Sequence, residues 1–173
     1  MHFFALASIA ISLPFLVASA PVNEPSNLVV LEQFLSQDGV STITVYGDAV
    51  SKEAPIDGLT GAYSKRCGSN TLVCDNSHLA DRNACTNLIN DLRVSSASLL
   101  NSLRSICATY GGSRCCVSWH NPVSNAIRNN LVSAAQKALD GCRGDTGVSG
   151  KTMDTMIGST CTNQCLSNRP DGC

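Results

Sequence analysis

Hydrophobic spacing changes character along the chain, and each change predicts an element. From Leu79 to Arg93, the apolar residues Cys85, Leu88, Ile89 and Leu92 fall at i, i+3, i+4 and i+7, the stripe of an amphipathic helix. Ser77 is placed to cap it. After Ser95-Ser96-Ala97-Ser98 the period drops to two: Ile106, Ala108 and Tyr110 share one face, Gly111-Gly112 follows, and Cys115, Val117 and Trp119 alternate again. Two alternating runs across a Gly-Gly pair predict a β-hairpin. Trp119 should then point inward and His120, one position on, toward the wetter face. Pro122 opens a second helix, expected from about Val123 to Leu139, with Ile127, Leu131, Ala134, Ala135, Ala138, Leu139 and Cys142 on one side and Arg128, Asn129, Gln136 and Lys137 on the other. Gly141 ends it. This pattern predicts that Ile127, Leu131, Ala135 and Leu139 are buried and that Arg128 and Lys137 are exposed. Upstream, Thr42-Ile43-Thr44-Val45-Tyr46 closed by Gly47-Asp48 reads as a strand. From Arg143 onward Gly, Thr, Ser and Asn dominate, and one or two short strands with loops are expected. Together these elements predict an α+β fold: a small disulfide-rich domain with two or three helices packed on a short antiparallel sheet.

The N-terminus changes the picture of where this domain works. Met1-His2 precedes an uncharged run from Phe3 to Val17 and the small residues Ala18-Ser19-Ala20, the layout of a secretory signal peptide spanning residues 1–20; cleavage is expected after Ala20, with cleavage after Ser19 the alternative because Pro21 follows. The run is too short for a membrane span, Pro14 interrupts it, and no basic stop-transfer cluster follows. Cysteine usage agrees. Ten cysteines stand at Cys67, Cys74, Cys85, Cys107, Cys115, Cys116, Cys142, Cys161, Cys165 and Cys173, and an even count in an exported chain reads as a disulfide framework. No CxxC or HxxxH spacing supplies a zinc site, so neither metal nor cofactor is expected. The pairing stays open at this level, although Cys85 and Cys142 on buried stripes predict that each helix is bolted to a strand.

Residues 21–66 lack cysteine and end in Lys65-Arg66, a dibasic pair that a furin-like or kexin-like protease would cut. They read as a pro-segment, and the secreted form is expected to start at Cys67. Charge shifts at the same boundary: residues 21–66 carry three basic against six acidic side chains, whereas residues 67–173 carry nine basic against seven acidic. Opposite signs favour modest attraction. With its strand-like run and the apolar Leu28-Val29-Val30-Leu31 and Phe34-Leu35, the pro-segment is equipped to fold against the cysteine-rich part; a mobile leader is the alternative. Residues 67–173 form one domain whose only aromatics are Tyr110 and Trp119. Disulfides must compensate for so modest a core, since one bridge contributes about 2–4 kcal/mol against a whole-domain stability of about 5–15 kcal/mol.

Little else in the chain carries chemistry. Asp145-Thr146-Gly147-Val148-Ser149-Gly150-Lys151-Thr152 approaches a phosphate-binding loop, but Asp145 stands where that loop needs glycine; a Gly-rich turn is the better account. Arg143-Gly144-Asp145 matches a short adhesion tripeptide and is equally expected of a turn after a helix. The cysteine-rich part has no Glu and two histidines, His78 and His120, and no Ser, His and Asp fall together recognisably. His120 beside Trp119 is the best candidate for a functional position. Its bland alternative is a hairpin-end residue next to a core Trp. Scattered basic residues and two aromatics do not make a nucleic-acid surface.

Cys115-Cys116-Val117-Ser118-Trp119-His120, Ser149-Gly150-Lys151-Thr152 and Cys161-Thr162-Asn163-Gln164-Cys165-Leu166-Ser167-Asn168-Arg169 resemble a family of small secreted cysteine-rich fungal proteins described as having a WD-like domain. The resemblance covers residues 67–173 and implies secretion, fungal origin and disulfides, with no catalytic residues. Cysteine count and size are also similar, more distantly, to fungal killer toxins and to secreted effectors of toxin-like fold. Hydrophobins need two Cys-Cys doublets, and this chain has one. The expected function is that of a secreted non-enzymatic protein, toxin-like or effector-like, that binds an extracellular or cell-surface target. A small secreted hydrolase using His120 with an aspartate is the alternative, and it requires His120 exposed in a cleft with a carboxylate in reach.

Overall fold

A computed structural model describes residues 27–49, 67–144 and 146–173. The expected signal peptide 1–20 with its expected cleavage site at Ala20, the dibasic Lys65-Arg66 and Asp145 lie outside the described residues. In chain order the elements are β1 (Leu28–Leu35), β2 (Thr42–Asp48), β3 (Thr71–Cys74), α1 (Arg82–Val94), β4 (Ser98–Leu99), β5 (Leu103–Tyr110), β6 (Ser113–Trp119), β7 (Ala126–Ile127), a 3-10 turn (Arg128–Leu131), α2 (Val132–Gly141), β8 (Gly150–Ile157) and β9 (Thr160–Ser167). Seven strands form one antiparallel sheet in the order β1-β2-β5-β6-β9-β8-β3, and β4 pairs with β7 apart from it. Among the described residues no helix is long and apolar enough to cross a membrane.

The α+β expectation of two or three helices on a short sheet is therefore corrected: among the described residues the fold is mostly β, a seven-stranded sheet with two short α-helices. The polar tail hid two eight-residue strands, β8 and β9. Their inward positions include Thr152 and Gln164, which are buried yet polar. They reach the core because helix-side carbonyls take their hydrogens: Thr152 Oγ1 donates to Ala134 O at 3.2 Å and Gln164 Nε2 to Leu131 O at 2.8 Å. A buried polar group that finds a partner costs little, which covers the Thr152 hydroxyl and the Gln164 amide nitrogen, while Gln164 Oε1 has no partner in the protein.

The first helix forms as its stripe predicts, with Cys85, Leu88, Ile89 and Leu92 buried, but it starts at Arg82. Asp81 rather than Ser77 caps it, accepting from the Ala84 amide at 2.9 Å, while the Ser77 hydroxyl donates to Asp75 at 2.6 Å. The second helix is shorter than expected. Residues ahead of Arg128 are drawn to β9 and β4 instead, with Ser124 N donating to Thr160 Oγ1 of β9 at 3.2 Å, Asn125 at φ 51°, and Ile127 paired with Ser98 of β4. Leu131, Ala135 and Leu139 are buried and Lys137 is exposed, as predicted. Ile127 and Arg128 are reversed: Ile127 is 38% exposed and Arg128 only 8%. The Gly111-Gly112 turn, with φ of 55° and 82°, closes β5 onto β6 with Tyr110 opposite Ser113, a left-handed pair of positions that glycine adopts without strain.

Five disulfides pair all ten cysteines: Cys67–Cys161, Cys74–Cys142, Cys85–Cys115, Cys107–Cys116 and Cys165–Cys173. Cys85–Cys115 bolts α1 to β6 and Cys74–Cys142 ties β3 to the end of α2. Alkylation of the purified protein without reductant, read by mass spectrometry, is expected to label no cysteine; two or more labelled sites would contradict this pairing. The described part of the cysteine-free stretch is built into the sheet. β2 lies between β1 and β5, and Ile43 and Val45, 0% and 1% exposed, belong to the same apolar core as α1.

Candidate functional site

Strand parity separates two unlike faces of the sheet. Cys115 is bonded to Cys85 of α1, so Val117 and Trp119, two and four residues on, face the helices, whereas Cys116, Ser118 and His120 face the helix-free side. Gln164 and Thr152 reach helix-side carbonyls, which places their neighbours Cys165 and Lys151 on that same open side. Register agrees, with Ser118 opposite Cys165 and Lys151 opposite Cys165. Here lies a cleft of about 410 Å³. Ser118, Cys165 and Lys151 make its floor, Asn27, Leu28 and Asp48 of the β1–β2 hairpin one wall, and the C-terminal Pro170–Cys173 the other, with Trp119, His120 and Asn163 at its border.

Arg104 enters the cleft because of a register fault. Tyr46 pairs with Ser105 while the next residue, Gly47, pairs with Leu103, which leaves Arg104 as the extra residue of a β-bulge. Bulges re-aim side chains in this way. Its side chain is 15% exposed, and the guanidinium contacts Asp48 at 2.5 Å and donates to Asn101 O at 2.7 Å and Leu103 O at 2.9 Å. Asp171 on the opposite wall sits 3.5 Å from Arg169. The cleft thus mixes charges: two side-chain carboxylates, each paired with a guanidinium, and the exposed Lys151. The Ser118 hydroxyl is buried in the floor and has no partner in the protein.

Sequence reasoning named Trp119 and His120, and the structure brings both to this cleft in different roles. Trp119 is 4% exposed and part of the apolar core, on the inward face that alternation predicted. His120 is exposed, held by its amide, which donates to Asn163 O at 3.1 Å. A hydrolytic pair would need His120 joined to a carboxylate, and of the two that line the cleft, Asp48 is committed to Arg104 and Asp171 to Arg169. Sequence reasoning missed Arg104, Asp48, Lys151, Ser118 and Asp171. Lys151 stood in the phosphate-loop-like run, but it lies in β8, paired with Val73 and Cys165, so no loop leads into a helix there. Arg143, of the adhesion-like tripeptide, turns back to Asp140. Among the described residues no three His, Cys, Asp or Glu side chains gather as metal ligands.

Nothing among curated proteins or solved structures matches the chain. A family model described as fungal WD-like matches residues 26–173, which takes in the β1–β2 hairpin together with the cysteine-rich part. The chain belongs to the fungal WD-like family.

Proposed function

We propose that this is a secreted, toxin-like or effector-like protein that acts without catalysis, binding an extracellular or cell-surface target through the open-face cleft. The observation that carries the reading is the pairing inside that cleft: both lining side-chain carboxylates are paired with arginines, His120 has neither of them as a partner, and the exposed groups are hydrogen-bond donors and acceptors over a floor of paired strands. Such a surface recognises polar groups rather than moving protons. Five disulfides in a small domain and the signal-like N-terminus support export, and the dibasic pair supports processing before Cys67. The test is binding and growth inhibition with the oxidised, processed protein on fungal, plant and bacterial cells. The double variant His120→Ala/Lys151→Ala should lose about tenfold or more in binding, on the scale of one charged and one neutral hydrogen bond. Its stability should move by no more than about 0.5 kcal/mol, since both side chains are at the surface. Unaltered binding by that variant would remove the cleft from the reading, and turnover of a hydrolysable substrate lost with His120→Ala would restore catalysis.

A further inference from the structure

All five disulfides join cysteines between Cys67 and Cys173, and residues 1–66 contain none. The β1–β2 hairpin is therefore tied to the rest of the protein by one stretch of backbone and otherwise by non-covalent contacts. Those contacts are the kind found in a protein interior. β2 pairs with β5 from Thr42 opposite Thr109 to Gly47 opposite Leu103, and Ile43 and Val45 are 0% and 1% exposed. Gly47 seats the hairpin against the turn before β5: a Cβ there would lie 2.5 Å from Ser102 O, to which the Asp48 amide donates at 2.9 Å. Charge is complementary across the same junction. Arg128, nearly buried, donates to Glu32 at 3.0 Å and stacks 5.0 Å from the Phe34 ring centroid, and Arg104 pairs with Asp48. Both cations belong to the disulfide-linked part and both anions to the hairpin.

We infer that processing at Lys65-Arg66 does not release the hairpin. Resting on the processing reading above, the secreted protein is a two-chain molecule: residues 67–173 keep the upstream fragment as a non-covalent subunit, and the cleft is shared between the two chains. Hydrolysis of the Arg66–Cys67 bond consumes one water and leaves a carboxylate on Arg66 and an α-amine on Cys67. None of the contacts just described is broken by it, and Cys67 stays anchored through Cys161. Loss of the hairpin would instead bare the β5 edge and the apolar face it covers, a template for unwanted strand pairing, and would strip Arg104 and Arg128 of their carboxylate partners. It would also remove the wall formed by Asn27, Leu28 and Asp48.

The experiment treats the full oxidised chain with a kexin-like protease. Two fragments should separate on a denaturing gel without reductant, because no bridge joins them, while native mass spectrometry shows one complex heavier than the uncut chain by one water. Ile43→Ala should hold the hairpin about 30-fold less tightly or worse, so that its fragment appears free on dilution. If that variant does not accumulate, Glu32→Gln, which alters only a half-exposed partner of Arg128, should still speed release measurably. Wild-type fragment that dissociates under native conditions overturns the retention, as does release indifferent to either substitution. A secreted chain that stays uncut overturns the two-chain state at its processing step. These are measurements of mass, so they stand apart from whether the cleft binds a target.

Discussion

Replacement of Trp119 by alanine is expected to cost about 3–5 kcal/mol of folding stability. The ring is 4% exposed, faces the helices from β6, and is one of only two aromatics in residues 67–173. Its neighbours cannot collapse into the space: Trp119 pairs with Gln164 of β9, whose amide is committed to Leu131 O, and the adjoining core strands are stapled by disulfides. The indole Nε1 has no hydrogen-bond partner in the protein, so the energy resides in packing, not in a polar contact. Trp119→Phe should therefore cost far less than Trp119→Ala, since it keeps most of the apolar volume and discards an unpartnered donor. Denaturant unfolding of the two variants distinguishes these cases. An alanine variant of unchanged stability that has lost its target would show Trp119 to be a binding residue.

Removing the Cys85–Cys115 bridge by Cys85→Ala/Cys115→Ala should cost about 3–4 kcal/mol from the chain entropy of a 30-residue separation. The true loss should sit at or above that figure. Both sulfurs are fully buried, 0% exposed, between α1 and β6, so alanine also leaves empty space, and every lost methylene-sized group in a core is felt. The peripheral Cys165–Cys173 bridge spans a separation of only 8 residues, which puts its entropic share at about 2.5 kcal/mol. Thermal unfolding should rank the two double variants in that order. Equal losses would mean that the longer loop and the buried sulfurs of Cys85–Cys115 add nothing beyond what the short bridge supplies.

Much of the helical side of this protein was legible in its residues. The stripe of Cys85, Leu88, Ile89 and Leu92 and the alternation across Gly111-Gly112 are local signals, because a helix face or a two-residue turn needs only neighbours in sequence. The same holds for the inward Trp119 and outward His120, which strand parity settles, and for cysteines on buried stripes bolting helices to strands. The tail was illegible for a physical reason. β8 and β9 bury Thr152, Thr155, Thr162 and Gln164, and Thr152 and Gln164 are tolerated there because carbonyls of α2 and the turn before it, distant in sequence, accept their hydrogens. Helix content was overestimated at Ile127 and Arg128 because the 3.6-residue pattern cannot see that Glu32 and Phe34 wait across the fold to partner Arg128.

Residues 1–173 by themselves determined the disulfide chemistry, the α1 stripe, the β5–β6 hairpin and the adjacency of Trp119 to His120. Tertiary structure alone decided which cysteines meet, that a cysteine-free hairpin completes the sheet, and that Arg104, Asp48, Lys151 and Ser118 share one cleft. All three depend on strand order, and the last also on the bulge at Arg104; such long-range register is set by the packing of the whole sheet rather than by any local run of residues.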